Sequence, residues 1–494
     1  MNFHADHSGC LTQRAQRAQR FFFLCVLRVL CVRKSFPLAV FLVSGCAHFN
    51  FHPLAPEKSA AQLESRRLDD AGLKKFFANN SSAEVKSWPL AKWNLDSLTL
   101  AAFYFHPDLV VARAQWQLAE AGVKSAGGRP NPTLTVSPQY NTTTALLTPW
   151  APAVSFDLPI ETAGKRSKRI AEAEKISESA HWRFVSAAWQ IRSGVRAALA
   201  AFSLAQHRLP LLQNQIAAQR EIVSLMQGSF AVGATSRPEL ATAQMALTKL
   251  QLDVSSAEAK SAEARSRLAE AMGVSSVALE GIDFDVNFIL PATADLNSPA
   301  ARRAALVGRA DIRTALADYA ASENNLRLEI AKQFPDVHLN PGYQYDQGDN
   351  KWSLGLSVEL PVFNQNQGAI AESRARRKLA AAKFLQLQSQ VIAQVERAVA
   401  GWQSAQSLLK TSGELLAAAE RQQNSITAQV QAGAAAKMDL AGAEIELASI
   451  RLAQLDSEAQ AQDALGALED ALQSPADSIA AVIQKISTEN PGGK

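Results

Sequence analysis

Cysteine is missing from most of this chain. All four, Cys10, Cys25, Cys31 and Cys46, fall within the first 46 of 494 residues. The remaining body therefore tolerates an oxidising compartment without mispaired disulfides. Long apolar runs are missing too. The runs 21–32 and 36–43 are split by Arg33-Lys34, and neither approaches the ~20 residues a helix needs to span a bilayer. Beyond residue 46 no run qualifies, so a body that crosses a membrane must do so as strands. Neither charge sign is in excess: Lys and Arg total 50 and Asp and Glu 46, a net of +4. Up to Lys34 there are six cations against Asp6, a local +5, so the rest of the chain carries −1. A nucleic-acid partner thereby loses its main support. The motifs of chemistry are absent as well: no phosphate loop, nucleophile elbow, dinucleotide fingerprint or metal-spaced Cys/His cluster. Histidines such as His106, His181, His207 and His338 are scattered singly. The expectation is a chain that is not an enzyme and needs no cofactor or metal.

What is present begins at the N-terminus. The run 36–43 has basic residues before it and small residues after it, the layout of a signal h-region. It ends in Val43-Ser44-Gly45-Cys46, which resembles the lipobox of bacterial lipoproteins. That resemblance implies a signal peptide over 1–45 and a diacylglycerol on Cys46 as the first mature residue. Ala47, rather than Asp, implies delivery to the outer membrane. A buried free cysteine in an apolar helix is the plain alternative.

The body is duplicated. Pro132 to Tyr140 aligns with Pro335 to Tyr343 at an offset of 203, and Asp108 aligns with Asp311 at the same offset. Ser155-Phe-Asp-Leu-Pro159 aligns with Ser357-Val-Glu-Leu-Pro361 at 202, and Phe230-Ala-Val-Gly233 with Val430-Gln-Ala-Gly433 at 200. Ordered landmarks at a near-constant offset define two copies of one unit. The reading places a first repeat at 96–274 after an N-terminal segment 46–95. A linker at 275–308 leads to a second repeat at 309–474 and a tail at 475–494.

Each copy alternates between two periods. Residues 108–126 and 311–331 read as helices. In 133–140 and 154–160, and again in 337–345 and 352–360, apolar and polar residues alternate, as in membrane strands with one face to lipid. A half-buried hairpin of a soluble domain alternates in the same way. Pro138 and Pro341 are expected to mark a bend or bulge. Trp150, Trp352 and nearby tyrosines suit an interfacial girdle. After each strand pair a helical stretch runs from Gly164 to Phe230, or from Gly368 to Val430. It turns at a glycine and returns through 237–272 or 437–472. Leu240, Ala243, Leu247, Leu250, Val254, Ala257, Ser261, Ala264 and Leu268 recur at spacings of three and four, a coiled-coil seam. Pro210 falls inside the first outward run and is expected to kink it.

Several further segments complete a pattern: Trp93-Asn-Leu-Asp96 with His106-Pro-Asp108-Leu109, Arg129-Pro-Asn-Pro132, the Leu-Pro pairs at 158–159 and 360–361, and the two glycine turns. Together, over roughly 88–474, they resemble the TolC-like outer-membrane efflux family, in particular its lipoprotein branch serving resistance-nodulation-division pumps. The resemblance implies an α+β membrane protein whose homotrimer forms a twelve-stranded β-barrel on a periplasmic α-helical barrel. It implies a periplasmic adaptor and an inner-membrane pump as partners, and residues 275–308 with the tail as a belt around the tunnel. It also implies a gate and adaptor contact at the helical turns: Gly233, Arg237, Glu239, Gly433, Lys437 and Asp439. Asp439 matches an acid that faces the closed pore in the family, whereas the family's second acid is Gly442 here. Arg237, Glu239 and Lys437 either lock the tip by ion pairs or are simply solvated. The competing readings are a lipid-anchored periplasmic adaptor, which carries one long hairpin rather than two, and a structural coiled-coil lipoprotein without a pore.

Overall fold

A computed structural model describes residues 49–80, 87–142, 148–285, 299–473 and 482, 483 and 485. Cys46 and the apolar leader lie outside the described residues. Residues to Ala60 form one unit and Ala61–Lys494 another. Of the first, the described part is exposed and includes the start of helix α1 (Pro56–Glu64).

The second unit contains helices α2 (Ala71–Asn80), α3 (Leu95–Phe105) and α4 (Pro107–Ala126), then strands β1 (Thr133–Ser137) and β2 (Ala153–Ile160). Helices α5 (Lys165–Ala231) and α6 (Arg237–Met272) complete the first repeat. The stretch expected as linker ends in α7 (Pro299–Gly308), and the second repeat follows the same plan with α8 (Ala310–Ala331), β3 (Val337–Asp346), β4 (Asp349–Val358), α9 (Gln367–Gln431) and α10 (Lys437–Leu472). At ~1.5 Å per residue α5 and α9 each extend ~100 Å, and α6 and α10 ~55 Å. Among the described residues no helix is long and apolar enough to cross a membrane.

The strands form one antiparallel sheet in the order β1-β2-β3-β4, so β2 and β3 join the two repeats. Neither proline makes the expected bulge. Pro138 simply ends β1 at five residues, shorter than the alternation suggested, and pairing resumes only at the bridge Tyr140–Trp150. Pro341 sits in an unbroken register with β4, opposite Leu354. Its missing N–H registers on the other side, where the β2–β3 ladder lapses at Phe156 and Asp157 without a shift of register. Pro210 lies inside a helix that runs on through it.

Helix α5 is the spine. It packs against α4 and α6 of its own repeat and against α8 and α10 of the other. The predicted seam is the buried stripe of α6: Ala243, Ala257, Ala264 and Leu268 are buried, and the other seam positions are half-buried. Return helices stack end to end with the short upper helices. Gly273 closes α6 in a left-handed conformation (φ +71°), where a Cβ would lie 2.8 Å from His106 Cα. Arg66 donates to the Phe105 and Gly273 carbonyls at 2.7 and 2.8 Å, tying the two helix ends. In the second repeat Arg309 donates to Ala471 O at 2.6 Å, and Ala310 N–H to Gln473 Oε1 at 2.7 Å. Around the first junction one core gathers Leu73, Phe77, Trp93, Leu98, Leu199, Leu268, Leu279, Phe284 and Ile483. The N-terminal segment, the inter-repeat linker and the tail thus meet there, with Trp93 N–H donating to Asp283 O at 2.9 Å.

Between α5 and α10 the contact is charged. Arg192 meets Glu469 at 3.1 Å, both almost fully buried, and Arg196 approaches the same carboxylate at 3.6 Å. Burial lowers the Arg196 pKa, which Glu469 partly offsets. Gly466 leaves the space through which the Arg196 guanidinium passes. Truncating one member of a buried pair strands the other. Glu469→Ala is expected to destabilise the chain by about 3–5 kcal/mol, and Gly466→Ala, which crowds Arg196, by about 1–3 kcal/mol. Urea unfolding of both variants against the parent measures this.

Candidate functional site

Two surfaces stand apart from ordinary packing: the sheet and the turns at the far end of the long helices. Strand alternation gives the sheet two unlike faces. Leu134, Val136, Phe156, Leu158, Leu339, Tyr343, Trp352, Leu354 and Leu356 share one. That face is open, with Trp352, Leu354 and Leu356 exposed by 81, 74 and 69 %. An exposed apolar area of this kind marks contact with lipid or protein. Aromatic pairs sit at its end away from the helices, Tyr140 on Trp150 at 5.0 Å and Tyr343 on Trp352 at 4.9 Å, one per repeat. The opposite face carries Thr133, Thr135, Ser155, Asp157, His338, Asn340 and Ser357. There His338 Nδ1 lies 2.9 and 3.1 Å from the two Asp157 carboxylate oxygens, joining β2 to β3. Nothing in the single histidine's sequence context pointed to that partner.

The turns repeat each other in detail. After α5, Gly233 N–H donates to Phe230 O at 3.0 Å and Ala234 N–H to Ser229 O at 2.8 Å. After α9, Gly433 N–H donates to Val430 O and Ala434 N–H to Gln429 O at the same distances. Both are Schellman caps, and Gly233 (φ +78°) and Gly433 (φ +72°) hold the left-handed position that such caps need.

The acids two residues into the return helices are caps as well. Glu239 accepts from the Ser236 N–H at 2.8 Å, while Glu239 N–H donates to Ser236 Oγ at 3.4 Å, a capping box. Asp439 accepts from Ala436 N–H at 2.9 Å, half of the same device, since alanine offers no hydroxyl. Ser236-Arg-Pro-Glu239 has capping-box spacing in the sequence, a signal that a reading for gate charges passed over. Arg237 and Lys437 are exposed and, among the described residues, form no ion pair within the chain. Thus all six tip residues fall at the two turns, with the glycines and acids holding local structure.

Long paired helices thus run on from a two-faced sheet in each repeat. The chain belongs to the outer membrane efflux protein family, whose sequence profile matches residues 104–274 and 301–473. The cobalt-zinc-cadmium resistance protein CzcC of Cupriavidus metallidurans is 25% identical over 366 residues, 70% of this chain and 82% of that one. Nodulation protein T of Rhizobium leguminosarum bv. trifolii is 25% identical over 264 residues, 49% of this chain, which spans about half (54%) of its length. In fold the chain is similar to the outer-membrane channel OprN, with a TM-score of 0.64 at 19% identity over 77% of this chain and 90% of that one. The fold is therefore that of these channels, helices with a β-domain, and the protein is an outer-membrane efflux protein.

The capping box has a pH signature. The Ser236 backbone N–H, and next its hydroxyl, hold the Glu239 carboxylate below its ordinary value of 4.5. A depressed acid contributes its stabilisation above the ordinary value and loses it as pH falls through the lowered one. The first turn of α6 is therefore expected to stay formed through the usual carboxylate range and to fray only in stronger acid. Ser236→Ala, which keeps the backbone N–H and loses the hydroxyl, should return the Glu239 titration part of the way toward 4.5, as followed by carboxyl NMR.

Proposed function

We propose that three copies of the chain join through the free edges of β1 and β4, giving a twelve-stranded barrel from three four-stranded sheets. The barrel lies in the outer membrane, and the long helices continue it as an α-helical barrel in the periplasm. One observation carries this reading: an open sheet with an exposed apolar face, a polar face and two unpaired edges, set on helices of ~100 Å. Unpaired strand edges cannot face lipid, so the sheet must close, and four strands alone cannot close it. The apolar face then meets lipid, and Thr133, Ser155, Asp157, His338 and Asn340 line the lumen.

The duct conducts passively from periplasm to outside. Its opening is controlled at the turns around Gly233, Arg237, Glu239, Gly433, Lys437 and Asp439, where a periplasmic adaptor also docks. Transport energy comes from an inner-membrane pump, and an acylated Cys46 anchors the N-terminus. A ring of three Asp439 side chains favours cations at the closed tip. The two long hairpins set the chain apart from a single-hairpin adaptor.

Purified protein should cross-link as a trimer and raise the conductance of a planar bilayer; a monomer that never conducts sinks the reading, as does a solid rod in electron micrographs. Leu356→Arg, on the apolar face, should cost about 2–4 kcal/mol of membrane insertion, whereas Ser353→Arg, on the polar face, should insert normally. Partitioning into lipid vesicles separates the two.

A further inference from the structure

Along one side of α5 runs a series of polar ties to the second repeat. From the sheet downward, Lys165 meets Asp336 at 2.8 Å, Arg183 meets Asp318 at 3.1 Å, Arg192 meets Glu469 at 3.1 Å, and Arg208 meets Asp456 at 2.7 Å. Every cation is on α5 and every acid on the other repeat. Arg208–Asp456 is the last. Nearer the tip, the ties between different helices among the described residues stay within one hairpin. Gln219 donates to Ala243 O at 3.0 Å in the first, and Arg451 meets Glu420 at 3.1 Å in the second.

At the same level each outward helix carries a residue that weakens it. Pro210, two positions past Arg208, has no N–H to offer the carbonyl of Gln206. Gly413 lies within one turn of the same height in α9: it stands 18 positions before the end of that helix at Gln431, and Pro210 stands 21 before Ala231. No atom crowds Gly413, so packing does not account for it. Gly194 and Gly401 also have open space, but they lie in the tied stretch, where α5 and α9 are held on both sides, and Gly228 lies in the last turn of α5 beside its cap.

We infer that this level is a hinge. Above it the ion pairs clamp the two hairpins into one body; below it each hairpin end, ~30 Å long, swings separately and carries its glycine turn. The inference rests on the reading of the turns as a gate, and it locates the moving part.

Hydrogen exchange on the purified full-length protein in detergent tests the hinge without needing a current. Amides of α5 and α10 on the tip side of Arg208 and Asp456 should exchange ~10-fold faster than those on the sheet side. The double variant Pro210→Ala, Gly413→Ala restores a donor and a helix-favouring residue, so the step should shrink, and the open fraction in planar bilayers should fall several-fold. Arg208→Met with Asp456→Leu should move the step toward the sheet. Uniform exchange along the parent helices, or a step that the double variant leaves unchanged, overturns the hinge. A step that shrinks while the open fraction stays at the parent's value overturns its role in gating. A parent protein that never conducts counts against the channel reading, and the exchange step still decides the hinge.

Discussion

A buried charge has to be paired, and the contact between the two halves of this chain is built on that requirement. Arg192 and Glu469 are withdrawn from water on helices from different repeats, and the cost of isolating either fixes which helix lies beside α5. Apolar side chains are poor at such discrimination. The seams within each hairpin are made of Ala, Leu and Val, and any similar helix would fit them. Duplication makes the problem acute, because α5 and α9 are copies with similar apolar stripes. The ion pairs between the repeats place their cations on α5 and their acids on the other repeat, a match that, among the described residues, α9 does not offer to the same partners.

The sheet then follows from the helices. With α5 held against α8 and α10, β2 emerges beside β3, and one antiparallel sheet passes through both repeats. Its two faces come from alternation alone, but its edges come from the count of strands. Among the described residues, β1 and β4 each keep an unpaired side, which the proposed barrel would pair with another copy. The sheet exposes an apolar face, and the first helical turn exposes Val232 beside the charged Arg237 and Glu239.

Much of this was legible because it is written in local signals. The helix ends at Gly233 and Gly433 are set by a left-handed cap, and the starts at Arg237 and Lys437 by acids three residues past the cap; both operate within six residues. The seam of α6 follows from spacing. The prolines were misread for the same reason that the caps were readable: their effect depends on what lies across the strand. Pro341 needs no bulge because only its β2 side loses a bond, and that side is invisible in a single strand's pattern. Glu239 and Asp439, expected at the tip for their charge, also cap their helices, a role that their spacing from Ser236 and Ala436 carries.

The sequence by itself determined the duplication, the alternation of strand and helix, the lengths of the long helices and the polarity of each sheet face. Those properties arise from neighbours a few residues apart, where backbone geometry fixes who meets whom. Tertiary structure alone decided that His338 meets Asp157, that Arg192 meets Glu469, and that the ties from α5 stop at Arg208 beside Pro210. These partners lie 181, 277 and 248 residues apart. Over such separations no local period carries the pairing, and only the closure of the helices around α5 brings the charges within reach.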